Sequence, residues 1–305
     1  MFSIIIPLYN EEKTIPELVT RLAAVTDGMS DPWELILVDD GSTDGSFTAM
    51  CALHRNDPRI KVVRLSRNFG HQIAISAALD LAQGDAVILM DGDLQDPPEL
   101  LPQLIKLWKD GYHVVYTVKT SRKENWLKRL AFKSFYRILS AMSSIKIPMD
   151  AGNFSLMDRR VVEVLRTMPE RNRYISGLRA WAGFQQTAVY YDRGPRFAGK
   201  PQMSLGRLFH LALDGIFSFS NAPLRAAIYF GMAAAMVSFA GGLYVVYEKL
   251  FTNLAILGWA STIVSILFVG GMILMTLGVI GEYISRIYEE VKKRPLYVIR
   301  DKIGF

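Results

Sequence analysis

Three clusters of carboxylates stand where an apolar run ends. Pro7-Leu8-Tyr9-Asn10-Glu11-Glu12 closes the first run, and Val38-Asp39-Asp40-Gly41-Ser42-Thr43-Asp44 closes the second. Asp91-Gly92-Asp93-Leu94-Gln95-Asp96 follows a later one. Carboxylate oxygens are hard donors that suit a divalent cation, and Asp-x-Asp lets two side chains converge on one ion. A cation held there would neutralise a diphosphate and stabilise charge on a departing phosphate. A lone Asp-Gly-Asp is often only a turn, whereas three clusters at successive run ends point to a site. No G-x-G-x-x-G follows the first run and no G-x-x-x-x-G-K-[ST] occurs in the chain, which argues against a dinucleotide-dependent dehydrogenase and a P-loop enzyme.

The elements that must hold these clusters follow from the spacing. Ser3 to Pro7, Trp33 to Val38, Ile60 to Leu65 and Ala86 to Met90 are short apolar runs rich in β-branched residues, as in strands covered on both faces. Helical spacing fills Ile15 to Ala24, Thr43 to Leu53 and Gly70 to Ala82. Repeated βα units predict an α/β fold with an open, doubly wound, mostly parallel sheet. Ligands of such sheets bind beyond the carboxyl ends of the strands, where all three clusters fall. The single cysteine, Cys51, excludes an internal disulfide framework and a cysteine-based zinc site, and reads as a small core residue.

The last third differs in kind. Ala226 to Tyr247 and Leu250 to Gly281 carry no charge, and each exceeds the ~20 helical residues that cross a bilayer core. The chain of 305 residues is 50% hydrophobic and only 21% charged, and its mean hydropathy of +0.19 is high for a soluble enzyme. Glycines and alanines in both runs suit close helix packing in lipid. Arg286, Lys292, Lys293, Arg294, Arg300 and Lys302 follow the second run, so the positive-inside rule predicts a cytoplasmic tail. Two crossings return the chain to its starting side. The opening residues lack a basic n-region, so no targeting segment is expected and the α/β domain is expected in the cytoplasm. Arg207 to Phe219 has the pattern of a helix lying in the membrane interface, and Trp126 to Leu139 presents a basic face with an apolar flank. The formal charge of +6 is therefore assigned to lipid headgroups and phosphorylated substrates, and no nucleic-acid recognition motif competes with that reading. The expected organisation is a catalytic domain over 1–203, an interfacial helix over 204–222, two membrane helices within 223–282 and a basic tail over 283–305.

IIIPLYNEE, LVDDGSTDGS, LSRNFGHQIAISAALDLAQGD and MDGDLQDPPE together resemble the family 2 glycosyltransferases of GT-A fold. The last of these, with NFSLMDRR and GEYISRIYEEVKKRPLYVI, is similar to the branch that makes polyprenyl-phosphate sugars, which includes dolichol-phosphate mannose synthases and bactoprenol glucosyltransferases. The resemblance covers essentially the whole chain. It implies that Pro7, Tyr9 and Glu11 meet the base and ribose of a nucleotide, with Asp39 and Asp40 in the same site. It implies that Asp91, Asp93 and Gln95 hold Mg²⁺ or Mn²⁺ and the diphosphate. Arg122 and Arg137 resemble a pair that holds the acceptor phosphate, with Lys200 in support. Many relatives carry Gly-Asp-Phe where this chain has Gly152-Asn153-Phe154, and an amide cannot accept a proton at neutral pH. The acceptor phosphate is largely ionised already, with a second pKa near about 6, so Asn153 is expected to orient rather than to deprotonate. Asp150 is the weaker alternative base, and Asp158 can equally be structural.

The resemblance implies inverting transfer of a hexose, with UDP-glucose as the expected donor and undecaprenyl phosphate as the acceptor, in the bacterial inner membrane and in a homo-oligomer. GDP-mannose and UDP-GlcNAc are the other donors to consider. Processive polysaccharide synthesis is disfavoured, because Arg179-Ala180-Trp181 does not complete a Q-x-x-R-W motif and two spans cannot enclose a polymer. An inactive sugar-nucleotide-binding subunit finds its support in Asn153 and its objection in the intact Asp91-Gly92-Asp93.

Overall fold

The computed structural model describes residues 1–119, 151–171, 173–192, 222–251 and 259–305. Strand β1 (Phe2–Leu8) is buried along its whole length, and β2 (Trp33–Asp39), β3 (Ile60–Leu65) and β4 (Ala86–Leu89) are nearly so. Continuous apolar runs give this result because helices cover both faces. The helices between them are α1 (Ile15–Thr26), α2 (Ser46–Asn56) and α3 (His71–Leu81). Ala74, Ala77 and Ala78 are fully buried and allow α3 to lie close to β1 and β2. After a 3₁₀ turn at Pro98–Leu100, α4 (Leu101–Lys109) leads to β5 (Val114–Lys119). Then come β6 (Ala151–Asp158), α5 (Arg159–Thr167), α6 (Ile175–Trp181) and β7 (Gln186–Tyr191).

The strands form one eight-stranded sheet in the order β7-β5-β6-β4-β1-β2-β3-β8. The stretch β4-β1-β2-β3 is parallel, as expected from the βα repeats, and β5 and β7 are parallel to each other. Strand β6 runs antiparallel between β4 and β5, so the sheet is mixed. The core gathers Ile4, Ile6 and Leu8 with Leu37, Val62, Ile88, Phe154 and Leu156.

Helices α7 (Ala222–Phe251) and α8 (Trp259–Val291) form a second unit and pack on each other. Ala226–Tyr244 and Phe268–Val291 are long and apolar enough to cross a membrane. Their apolar side chains point outward, with Phe239 70% and Leu274 72% exposed. Such surface on a solvated helix would be an aggregation hazard, whereas in lipid it is satisfied. The segment expected as a basic tail, 283–305, carries structure of its own. Its first residues extend α8, and Ile299–Ile303 forms β8, antiparallel to β3 as the edge strand of the sheet. Tyr297 Oη donates to Asp80 Oδ2 at 2.6 Å and Ser66 N donates to Val298 O at 2.9 Å, so this return segment belongs to the α/β unit.

Candidate active site

Parallel pairing of β4, β1 and β2 brings their carboxyl ends, and the three acidic clusters, to one edge. The loops after β1 and β2 are laced together. Asn10, in the left-handed region at φ 55°, donates its N–H to Ser42 Oγ at 3.0 Å and accepts from Thr43 N at 2.8 Å through Oδ1. Glu11 N donates to Ser46 Oγ at 2.9 Å, and Glu11 Oε2 accepts from Thr14 Oγ1 at 2.6 Å. Glu11 thus braces the entrance to α1. Pro7 lies inside β1, buried and paired with Val38, while Tyr9 is 37% exposed at the strand end.

The two central aspartates do different work. Asp39 is fully buried, accepts from Ser42 N at 2.9 Å and forms an ion pair with Arg64 Nε at 3.2 Å. Asp40 is also buried and accepts from Phe69 N at 2.7 Å and Gly70 N at 2.9 Å, one per carboxylate oxygen. Burial pushes its carboxyl above the usual range despite these two amide donors. Gly41 and Gly70 have φ of 70° and 99°, and a Cβ on Gly41 would sit 2.4 Å from the Arg67 carbonyl carbon. The close approach of the two loops therefore requires glycine.

Asp40 in this way sets the start of α3, whose first residue reaches the Asp91 loop and whose second reaches Asn153. His71 Nε2 lies 3.0 Å from Asp91 Oδ1. Burial pushes the His71 imidazole down, but Asp91, with Asp40 and Asp93 behind it, more than compensates and its pKa is raised. Since the side chain is 42% exposed, the carboxylates rather than burial set the direction. Gln72 Nε2 donates to Asn153 Oδ1 at 3.4 Å, and Gln72 Oε1 accepts from Ile175 N at 2.9 Å at the start of α6. The structure thus joins Asp91 and Asn153 to neighbouring residues of α3, and sequence reasoning missed both connectors. The available signal was the placement of His71-Gln72 immediately after a glycine at a helix start.

The Asp91–Asp96 turn is built tightly. Gln95 N donates to Asp93 Oδ1 at 3.2 Å, and Leu94 occupies the left-handed region at φ 59°. A Cβ on Gly92 would sit 2.3 Å from Leu8 Cδ2. Asp96, 1% exposed, accepts from the Tyr191 hydroxyl of β7. Asp44 stands at the start of α2, accepting from Ser46 N at 3.1 Å, and Asp158 is the N-cap of α5, accepting from Arg160 N and Trp108 Nε1, both at 3.0 Å. Both are structural. Arg122, Arg137, Asp150 and Lys200, with the Trp126–Leu139 and Arg207–Phe219 segments, lie outside the described residues.

Among the described residues no three His, Cys, Asp or Glu side chains converge as a metal cage. Asp91 and Asp93 nevertheless fit a cation of the Mg²⁺ or Mn²⁺ type. Such an ion takes one or two carboxylates and fills its remaining positions with water and substrate phosphate.

The described site is thus defined by an α/β sheet with acidic turns at the carboxyl edge of its parallel strands. The glycosyl transferase family 2 model matches residues 3–166, and the chain belongs to that family. An uncharacterized glycosyltransferase of Bacillus subtilis is 47% identical over 99% of this chain and 94% of its own length. The bactoprenol glucosyl transferase of Shigella phage SfII is 40% identical over 98% of this chain and 97% of its own. Among solved structures, glucosyl-3-phosphoglycerate synthase from Mycobacterium tuberculosis, crystallised with Mn²⁺ and UDP, superposes with a TM-score of 0.51 at 19% identity, covering 71% of this chain and 77% of that one. That likeness establishes the GT-A fold.

Proposed function

We propose that the chain transfers glucose from UDP-glucose to undecaprenyl phosphate, giving the polyprenyl-phosphate sugar and UDP. The observation that carries this reading is the 40% identity with a bactoprenol glucosyl transferase over 98% of the chain, a span that includes the two apolar helices. An oxygen of the lipid phosphate bonds to the anomeric carbon as the bond to the diphosphate oxygen breaks, and UDP leaves with the electron pair. One displacement inverts the centre, so an α-linked donor yields a β-linked product. The acceptor needs no base because it arrives ionised.

In this reading Asp91, Asp93 and Gln95 would hold Mg²⁺ or Mn²⁺, and the ion would supply charge neutralisation for the leaving diphosphate. His71 orients Asp91, as partners of metal-bound carboxylates generally do. Tyr9, Glu11, Pro7, Asp39 and Asp40 form and support the nucleotide end. Asn153, held by Gln72, positions the reacting groups, and Arg122, Arg137 and Lys200 grip the lipid phosphate. Helices α7 and α8 cross the bacterial inner membrane and keep both chain ends and the α/β domain in the cytoplasm. Two helices per chain leave much lipid-facing surface, and self-association into a homo-oligomer is part of this reading.

The test uses purified protein in detergent with undecaprenyl phosphate, Mg²⁺ or Mn²⁺ and a panel of labelled nucleotide sugars. Label entering the organic phase from UDP-glucose, dependent on the metal and abolished by Asp93→Asn, is the expected result. Transfer only from another sugar would correct the donor, and nucleotide binding without transfer from any donor would overturn the enzyme reading.

A further inference from the structure

Helix α6 carries a side chain that the mechanism above leaves unused. Arg179 is 1% exposed, and its Nε, Nη1 and Nη2 are all buried without a hydrogen-bond partner among the described residues. Its guanidinium carbon lies 5.4 Å from the centre of the Tyr116 ring, and Tyr174 and Tyr116 are the titratable groups that act on it. Among the described residues no carboxylate answers the charge. Neighbouring Arg173 shows that this is not a general habit of buried arginines here. It is 8% exposed, yet it donates to Ser76 Oγ, Met168 O and Leu165 O at 2.8–3.2 Å. Burial draws the Arg179 guanidinium down only to about 10, so it stays charged at neutral pH.

An uncompensated buried charge is costly, and an apolar side chain of the same size would serve packing better. Its position explains its presence. Tyr116 pairs with Ser155 across β5 and β6, and Leu89 of β4 pairs with the same Ser155. Asn153 lies two residues from Ser155 toward the end of β6 that meets the carboxyl end of β4, and Asp91 lies two residues beyond Leu89. Two strand residues span ~6.6 Å. The α6 N-terminus meets Gln72, the residue that holds Asn153, and Arg179 follows Ile175 by one helical turn of ~5.4 Å. The guanidinium therefore lies against β5, one strand from Ser155 and two from Leu89, in a dry interior where screening is weak.

We propose that Arg179 is a positioning residue for phosphate, its unanswered guanidinium supplying the positive potential that draws phosphate groups onto this end of the sheet. This deepens the proposed function and rests on it for the identity of the phosphates, which come from two sources, the nucleotide diphosphate and the lipid phosphate.

The experiment compares full-length wild type, Arg179→Met and Arg179→Lys in detergent. Thermal unfolding is followed with and without inorganic diphosphate and Mn²⁺, and KM and kcat are measured for UDP-glucose and undecaprenyl phosphate. Arg179→Met is expected to unfold no lower than wild type, to lose the stabilisation by diphosphate and to raise KM for a phosphate substrate about tenfold with kcat less affected. Arg179→Lys is expected to restore most of both effects. A rise confined to UDP-glucose names the diphosphate as the group served, and one confined to the lipid names the acceptor phosphate. Equal diphosphate stabilisation and equal KM values in wild type and Arg179→Met would overturn the proposal, as would a lowered unfolding temperature that Arg179→Lys fails to repair. Because diphosphate stabilisation is read without turnover, a wild type that transfers no sugar but loses this stabilisation on Arg179→Met would sink the proposed reaction and leave the role of Arg179 standing.

Discussion

His71 Nε2 lies 3.0 Å from Asp91 Oδ1, so the first residue of α3 steers a carboxylate twenty positions further along the chain. The geometry depends in turn on Asp40, which holds the amides of Phe69 and Gly70 ahead of that helix. One buried carboxylate at the end of β2 therefore reaches the β4 edge through a loop and a helix start.

Removing the steering group should loosen the cation before it harms the fold. Partners of metal ligands are typically worth about 10–100-fold in metal affinity or activity. In His71→Ala the Mn²⁺ concentration for half-maximal activity is expected to rise by roughly that factor, with an unfolding temperature close to wild type. An unchanged metal titration would remove His71 from this role.

Asp40→Asn tests the cradle. Both carboxylate oxygens accept an amide N–H, and an asparagine would set its own NH₂ against one of them, a mismatch that costs about 1–3 kcal/mol. A lower denaturation midpoint and a weakened metal titration should appear together. Restoration of one without the other in a loop-stabilised variant would break the link between cradle and site.

Gly92→Ala would push a methyl group to 2.3 Å from Leu8 Cδ2 in a buried contact. Overpacking of this kind costs about 1–3 kcal/mol. Trimming the other side with Leu8→Ala should make the double variant less destabilised than the sum of the two single ones, since contacting residues couple. Simple additivity would show that the turn relaxes elsewhere.

Acid should act through Glu34, buried beside Lys61 Nζ at 2.7 Å. Burial pushes its carboxyl up, but Lys61, Ser3 and the Gln83 amide more than reverse that and hold it below its ordinary value. A carboxyl depressed in the folded state binds fewer protons than in the unfolded chain. Its stabilisation is therefore complete above the unfolded pKa of about 4.3 and is lost as pH falls through the folded value. Denaturant midpoints measured from pH 6 downward should fall more steeply for wild type than for Glu34→Gln, and parallel curves would contradict this.

The legible part of the molecule was the part written in local pattern. Strands β1 to β4 and their helices follow from apolar runs and helical spacing, and Asp91 and Asp93 stand out because they end one such run. The start of α2 came three residues later than its pattern predicts, because the Asp44 side chain takes up the Ser46 amide. What was not legible depends on partners far apart in sequence. Ile299–Ile303, reading IRDKI, shows no continuous apolar run, and its status as a strand comes from β3 more than 230 residues earlier. His71, Gln72 and Arg179 are ordinary residues on ordinary helices until the sheet register places them beside Asp91, Asn153 and Tyr116.

The pairing of β8 with β3 also sets an order in time. During synthesis β3 emerges early and offers an open hydrogen-bonding edge, while its partner waits behind both long apolar helices. The sheet can be closed only after those helices have been made and have left the path of the chain. Until then the half-built domain carries an adhesive rim of the kind that pairs with the wrong strand. Lys61 and Arg64, spaced along β3, are charges of the sort that guard such a rim during the wait.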